Sequence, residues 1–331
     1  MIKIIFENGQ GLGNQLWLFA VAKSISEKLK QDLFIENINK FKGKDFLILD
    51  YISPQNKLNS NYNNFNGNDF KTFSERIYFD NELKYIVSSF DENILNISEN
   101  TILDGIFQSE KYFFNDIEKL KRYIKPSKSI LEKNKISKDI CILNIRGGEY
   151  KRHKNFLLSK KYWDNAISNF KKIFNIYKFI IVTDDFRYAK KLFPDLKIIH
   201  NNIANCYCSI YNCKNIIVSN SSFSYFPCKT GVKKNIIAPM YWARPSKNYG
   251  RWISPGNIYK DWNWQDNEGI MHSYNQCLKI AEKTDDFYKK EFTVLINKKN
   301  IPSTGLFNFL PVFVKKFLKK ILSYIFPKHF G

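Results

Sequence analysis

The segment NIRGGEYKRHKN at 144–155 places Arg146 directly after a run that reads as a β-strand. Ligands of parallel sheets bind outside the carboxyl ends of the strands, so a cation there stands where chemistry is expected. Its planar fork suits a diphosphate, and Gly147 and Gly148 let backbone approach one. Glu149 sets a carboxylate beside the cation, as a base or as a salt-bridge partner. Lys151, Arg152 and Lys154 read as a solvated charged loop.

Three further segments have the same character. GQGLGNQLW at 9–17 falls between a strand and a helix, where Gly9, Gly11 and Gly13 allow a tight turn and close approach of a ligand to the helix N-terminus. Asn14 stands where a dinucleotide fingerprint wants glycine, although Glu36 at the end of the second strand has the place of a ribose-binding acid. The plainer reading is a turn that only packs the helix; the amides of Asn14 and Gln15 at a cleft edge favour hydroxyl-rich substrates. VTDD at 182–185 ends another strand, with Asp184 and Asp185 able to accept from guanine N1 and N2, and Asp184 equally suited to cap the next helix. SNSSFSYFP at 219–227 supplies hydroxyls and helix N–H groups for a phosphate seat, and Ser221 or Ser222 also suits a simple N-cap.

Strands must hold these ends in place. IKIIF (2–6) reads as a buried strand, followed by the glycine turn, a helix from about Gly13 to Lys30 and a short strand at 33–36. The Asn-rich stretch 53–70 reads as a loop or insertion. TILDGIF (101–107) reads as a strand, and 109–136 as one or two helices broken at Pro126. From 139 strands (139–146, 178–185, 196–200, 214–220, 234–239) alternate with helices (159–174, 186–193, 205–213, 221–231), which implies a parallel sheet covered on both faces. Two such units, joined near 125–138, predict an α/β chain with a cleft between lobes. The divisions expected are 1–135, a Rossmann-like domain at 136–268, a helical segment at 269–304 and a basic tail at 305–331.

The chain has 331 residues, 44% of them hydrophobic and 16% aromatic, enough for a sizeable core. Cys206, Cys208 and Cys213 lack a fourth zinc ligand, and the four histidines are dispersed. The six cysteines show no secreted-scaffold spacing, the first strand is too short for a signal peptide, and no apolar run is long enough to span a bilayer. A cytoplasmic location is therefore expected. The net charge of +21 is mostly Lys spread along an Asn- and Ile-rich chain, which argues against nucleic acid as a partner. It clusters in one place. From Phe292 to Gly331 there are seven Lys and no acid, and Phe313, Phe317, Leu318 and Ile321 fall opposite Lys315, Lys316, Lys319 and Lys320 on a helical wheel. Residues 305–331 read as an interfacial helix on an anionic membrane surface, with docking on the core as the rival.

The motifs GLGNQ (11–15), NIRGGEY (144–150), VTDD (182–185), NSSFS (220–224) and PMYWARP (239–245) together resemble glycosyltransferase family 11, the α-1,2-fucosyltransferases, over roughly residues 1–265. The resemblance implies a GT-B-like fold of two Rossmann-like domains and inverting transfer of L-fucose from GDP-β-L-fucose, with no cofactor and no essential metal. The implied acceptor is a galactose-type 2-hydroxyl on an oligosaccharide, such as a lipid-linked O-antigen precursor. Carried over by position, Arg146 holds the β-phosphate, and Asp184 or Asp185 reads guanine. Gly11, Gly13, Asn220, Ser221, Ser222 and Phe223 line the diphosphate site, and Asn14 lies near the fucose or acceptor. Asn144 replaces the family's His, Gly147 its second Arg and Glu149 its Asp; Glu149 is the candidate base. A transferase using another GDP-sugar, or an NAD-dependent oxidoreductase built on the glycine turn, are the alternatives.

Overall fold

The computed structural model describes residues 1–52, 70–80, 85–97, 100–152, 156–241 and 256–291. The Asn-rich stretch 53–69, the aromatic segment 242–255 and the tail 305–331 lie outside the described residues.

The first lobe runs β1 (Ile2–Ile5), α1 (Leu12–Leu29), β2 (Leu33–Glu36), β3 (Leu47–Leu49), β4 (Lys71–Ser74), β5 (Ile77–Asp80), β6 (Tyr85–Ser88), β7 (Thr101–Asp104), α2 (Lys119–Tyr123), β8 (Ile124–Pro126) and α3 (Lys128–Lys133). Its main sheet has the order β2-β1-β7-β4 with every pair parallel. Ile2 and Ile4 are fully buried because β1 is an inner strand covered by α1.

The second lobe runs β9 (Ile140–Ile145), α4 (Lys160–Phe174), β10 (Lys178–Thr183), α5 (Phe186–Leu192), β11 (Lys197–Ile199), α6 (Ile203–Asn212), β12 (Asn215–Val218), α7 (Ser222–Thr230), β13 (Asn235–Pro239), β14 (Asn263–Gln265), β15 (Met271–His272) and α8 (Tyr274–Glu291). The sheet order is β11-β10-β9-β12-β13-β14-β15, parallel except for its last pair. The winding reverses between β9 and β12, which leaves a crevice outside their carboxyl ends. In the first lobe β2 and β7 flank β1 in the same way. The expected α/β architecture of two parallel sheets is therefore present.

Helix α1 joins the lobes. Leu12, Leu16, Trp17, Phe19, Ala20, Val21 and Ile25 are all buried, so the helix is apolar nearly all round, as a helix enclosed on every side must be. One side packs on the first sheet and another on α7. Trp17 stacks on Phe113 at 5.5 Å and on Tyr225 at 4.2 Å between ring centroids, the latter across the lobes. Burying each such ring contributes about 1.5–3 kcal/mol. One hydrophobic cluster consequently runs from Ile2 of β1 to Val218 of β12.

Three expectations need correction. The stretch 109–136 does carry two helices interrupted at Pro126, the short α2 and α3, but a 3-10 turn at Glu110–Phe113 precedes them and the interruption is itself a strand, β8, which pairs antiparallel with β3 and ends on Pro126. Proline lacks the N–H an interior strand residue donates, and a strand end accommodates it. The strand expected through 107 stops at Asp104, and the amides of Ile106 and Phe107 donate to the Glu75 carboxylate in place of a neighbouring strand. Finally, Asp185 rather than Asp184 is the N-cap of α5, because β10 ends at Thr183.

Candidate active site

A cavity of about 710 Å³ lies where the carboxyl ends of both sheets meet. From the first lobe Gly9–Asn14 and Gln108 line it; from the second, Asn144, Arg146, Glu149, Asp184 and Asn220–Phe223 do so. Four of the five motif segments are thus brought together; Gln15 and Asp185 do not line the cavity, nor do Pro239, Met240 and Tyr241, the described part of the fifth motif.

Two helix N-termini converge on this space. Gly11 is the N-cap of α1, with extended φ/ψ and no capping side chain, so first-turn N–H groups of α1 are left to a ligand. A Cβ on Gly11 would meet nothing within 4 Å, whereas Gly9 turns the chain with φ +82°. Ser221 is the N-cap of α7 and accepts from the Phe223 amide at 3.4 Å. Gly13 lets α1 touch that same turn: a Cβ there would lie 2.7 Å from the Phe223 nitrogen.

Arg146 faces these termini from the end of β9. Its Nη1 pairs with Asp184 Oδ2 at 2.5 Å and its Nη2 with Glu149 Oε1 at 2.9 Å. Its Nε is buried without a partner. The guanidinium lies 5.4 Å from the Tyr150 ring, and Tyr150 is fixed in turn by donating its hydroxyl to the Asn220 carbonyl at 3.0 Å. Asp184 also accepts from the Gly147 amide at 2.8 Å. The two glycines have steric reasons: a Cβ on Gly147 would sit 2.7 Å from Asp185 Cβ, and Gly148, at φ +31°, packs against the Asp184 carboxylate. A bulky side chain at 147 does not fit this arrangement.

Asp185 points away from the cavity. It accepts from the Tyr188 amide at 3.0 Å and pairs with Lys151. Burial works against its charge, but the Lys151 ammonium and the Tyr188 and Gly148 amides outweigh it and hold the carboxyl below the usual carboxylate range.

Asn14 ties the lobes together at the cavity floor. Its Oδ1 accepts from Gln108 Nε2 at 2.9 Å and from Ser222 Oγ at 3.0 Å, which leaves its amide N–H groups as donors. Gln15 does not reach the cleft edge; it is fully buried and clamps the 40–42 backbone, donating to Lys40 O and accepting from Lys42 N. Asn144 and Asn220 each have a buried Oδ1 without a partner, so the cavity wall keeps unused polar capacity.

Sequence reasoning missed Gln108, Tyr150 and His200, all lining the cavity. Gln108 and His200 follow the carboxyl ends of β7 and β11, so the strand-end rule that selected Arg146 would have found them. Glu75 carried no signal at all: buried, it accepts from the Ile106 and Phe107 amides at 2.7 Å each and so shapes the loop that presents Gln108. Among the described residues no group of His, Cys, Asp or Glu is placed to hold a metal ion, and the six cysteines are buried free thiols.

The chain is 29% identical over 140 residues to an alpha-1,2-colitosyltransferase of Escherichia coli, a match covering 37% of this chain and 48% of that protein, so the two align over about half the relative's length. Among solved structures it is similar to the NodZ alpha-1,6-fucosyltransferase soaked with GDP-fucose (NodZ from Bradyrhizobium), with 16% identity, 69% and 92% of the two chains covered and a TM-score of 0.38. Arabidopsis thaliana FUT1, solved as a mutant with GDP, gives 9% identity, 75% and 72% coverage and a TM-score of 0.44. The sequence model of glycosyl transferase family 11 matches residues 18–247, a span that takes in Arg146, Asp184 and Ser221. With more than two thirds of its length inside that match, the chain belongs to glycosyl transferase family 11.

Proposed function

We propose that the chain transfers L-fucose from GDP-β-L-fucose to a galactose-type 2-hydroxyl of an oligosaccharide, with inversion and without a metal. The observation that carries this reading is the convergence of Arg146 with the N-termini of α1 and α7 on one cavity. In such a transfer the sugar passes through an oxocarbenium-like state while negative charge grows on the departing β-phosphate. A fixed cation and N–H donors that bind this charge more strongly than the ground state lower the barrier. Arg146 takes the β-phosphate, and the Ser221 hydroxyl and the first-turn amides of α7, that of Ser222 included, take the remaining oxygens. Asp184, which lines the cavity where Asp185 does not, is assigned to the nucleotide, and Asn14 presents its amide to the sugar or acceptor. The acceptor we assign is a precursor such as lipid-linked O-antigen, with the basic segment 305–331 holding the enzyme at the inner membrane surface. Among the described residues no helix is long and apolar enough to cross a membrane.

The test is a donor screen that measures GDP or UDP release with GDP-fucose, GDP-mannose and UDP-sugars against β-galactosides, run beside Arg146→Ala. GDP release with GDP-fucose, lost in the variant while the circular dichroism spectrum stays native, is the expected result. Turnover that survives Arg146→Ala overturns the assignment. The Escherichia coli relative suggests a second reading, in which the sugar moved in α-1,2 linkage is colitose. A colitosyl donor belongs in the same screen.

A further inference from the structure

We infer that Glu149 is a displaceable occupant of the anion seat, filling in the empty enzyme a position that a donor phosphate oxygen takes over, and that it is not the proton acceptor. This rests on the reading that the cavity binds a nucleoside diphosphate. The two carboxylates on Arg146 are held very differently. Asp184 is fixed by Nη1 of Arg146, by the Gly147 amide and by the close packing of Gly148. The side chain of Glu149 is 67% exposed, and its recorded polar contact is the 2.9 Å bond to Nη2. An exposed single bond of this kind is worth little and opens readily.

The guanidinium itself is left incomplete. Nε and Nη2 form one edge with two parallel N–H groups, the edge that grips two oxygens of a phosphate side-on. Here Nη2 is taken by Glu149 while Nε is buried and has no partner. Glu149 thus satisfies half of a bidentate site. Charge leads to the same conclusion: one guanidinium facing two carboxylates carries a local excess of negative charge, which opposes an incoming diphosphate until one carboxylate leaves. Stereochemistry argues against the base role from the position Glu149 holds on Arg146. In an inverting displacement the acceptor hydroxyl arrives on the face opposite the leaving phosphate, and a carboxylate bonded to the phosphate-binding guanidinium stands on the phosphate side.

Calorimetric titration of the full chain with GDP and with inorganic pyrophosphate tests this, using the wild type, Glu149→Gln, Arg146→Met and the double variant. Glu149→Gln is expected to tighten both ligands roughly three- to tenfold, and the gain should vanish in the Arg146→Met background. Unchanged or weaker binding by Glu149→Gln overturns the proposal; unchanged binding with turnover lowered roughly 10²–10⁴-fold is the signature of a base. A gain for pyrophosphate with no GDP binding by any variant would sustain the seat and refute the GDP donor. Failure of wild type and Glu149→Gln to bind either ligand overturns the seat as well.

Discussion

Gly13 of α1 and Ser222 of α7 are in backbone contact across the two lobes: a Cβ built on Gly13 would lie 2.5 Å from the Ser222 carbonyl carbon and 2.6 Å from its hydroxyl oxygen. The two helix N-termini are thereby locked at one separation, and the anion seat is the space they leave. Alanine is the better helix former by about 1 kcal/mol, but here its methyl must displace backbone. Gly13→Ala is expected to destabilise the fold by about 1–3 kcal/mol and to weaken GDP binding, as read by urea unfolding and calorimetry. Gly11→Ala is the contrast. Its Cβ meets nothing and its φ of −71° suits any residue, so stability should fall by no more than about 1 kcal/mol, the penalty for alanine at an N-cap, while the methyl intrudes on the ligand.

Asn14 holds two donors on one oxygen, and this separates its structural role from its binding role. Asn14→Asp keeps an acceptor for Gln108 and Ser222, but removes the amide donors and adds a negative charge beside the diphosphate site. Its melting temperature should stay close to wild type while GDP affinity falls at least roughly tenfold. Asn14→Ala removes the acceptor and should lower both. Equal GDP affinity in wild type and Asn14→Asp would place the amide outside the donor site.

Most of the second lobe was legible because its strands are short apolar runs separated by helices, and each strand end carries a polar cluster. Arg146, Ser221 and Asn14 follow from one rule about where parallel sheets bind ligands. What the chain hides are decisions made by one residue or by tertiary contact. Whether Asp184 or Asp185 caps α5 depends on where β10 stops, and that end is fixed by pairing of Thr183 with Ile145. The strand at β8 is invisible locally because it exists only by pairing with β3, far away in sequence. Glu75 reads as one more surface acid until the amides of Ile106 and Phe107 are seen to close around it.

The depressed carboxyl of Asp185 makes a statement about acid stability. A carboxyl whose folded-state pKa lies below its unfolded value contributes stability above the unfolded pKa and loses it as pH falls through the folded value. Wild type should therefore lose stability as pH falls from the ordinary carboxylate range into strong acid. Asp185→Asn retains a weaker N-cap but cannot pair with Lys151 as an ion. It should be less stable by about 0.5–2 kcal/mol near neutrality and show a shallower loss as pH falls below the ordinary carboxylate range, measured by melting temperature against pH.

Lys229 is a deeply placed cation at the interface between the lobes. Its side chain is 7% exposed and pairs with Glu110 at 2.9 Å, the same carboxylate oxygen that accepts from the fully buried Tyr225 hydroxyl at 2.8 Å. The Tyr259 ring lies 5.4 Å from the ammonium. Removing one member strands the other in an apolar setting, so Lys229→Met is expected to cost about 3–5 kcal/mol in urea unfolding. Glu110→Gln should cost less, because the amide oxygen still accepts from Tyr225 and Lys229 keeps the ring beside it. Replacing both charges, as Glu110→Gln with Lys229→Met, leaves only the exposed Asp261 carboxylate, 3.8 Å from the ammonium in the wild type, without its cation, and should recover part of the loss. A double variant as unstable as the sum of the singles would mean that Lys229 acts through its packing alone, and that the lobes are held by the Trp17–Tyr225 stack without help from the ion pair.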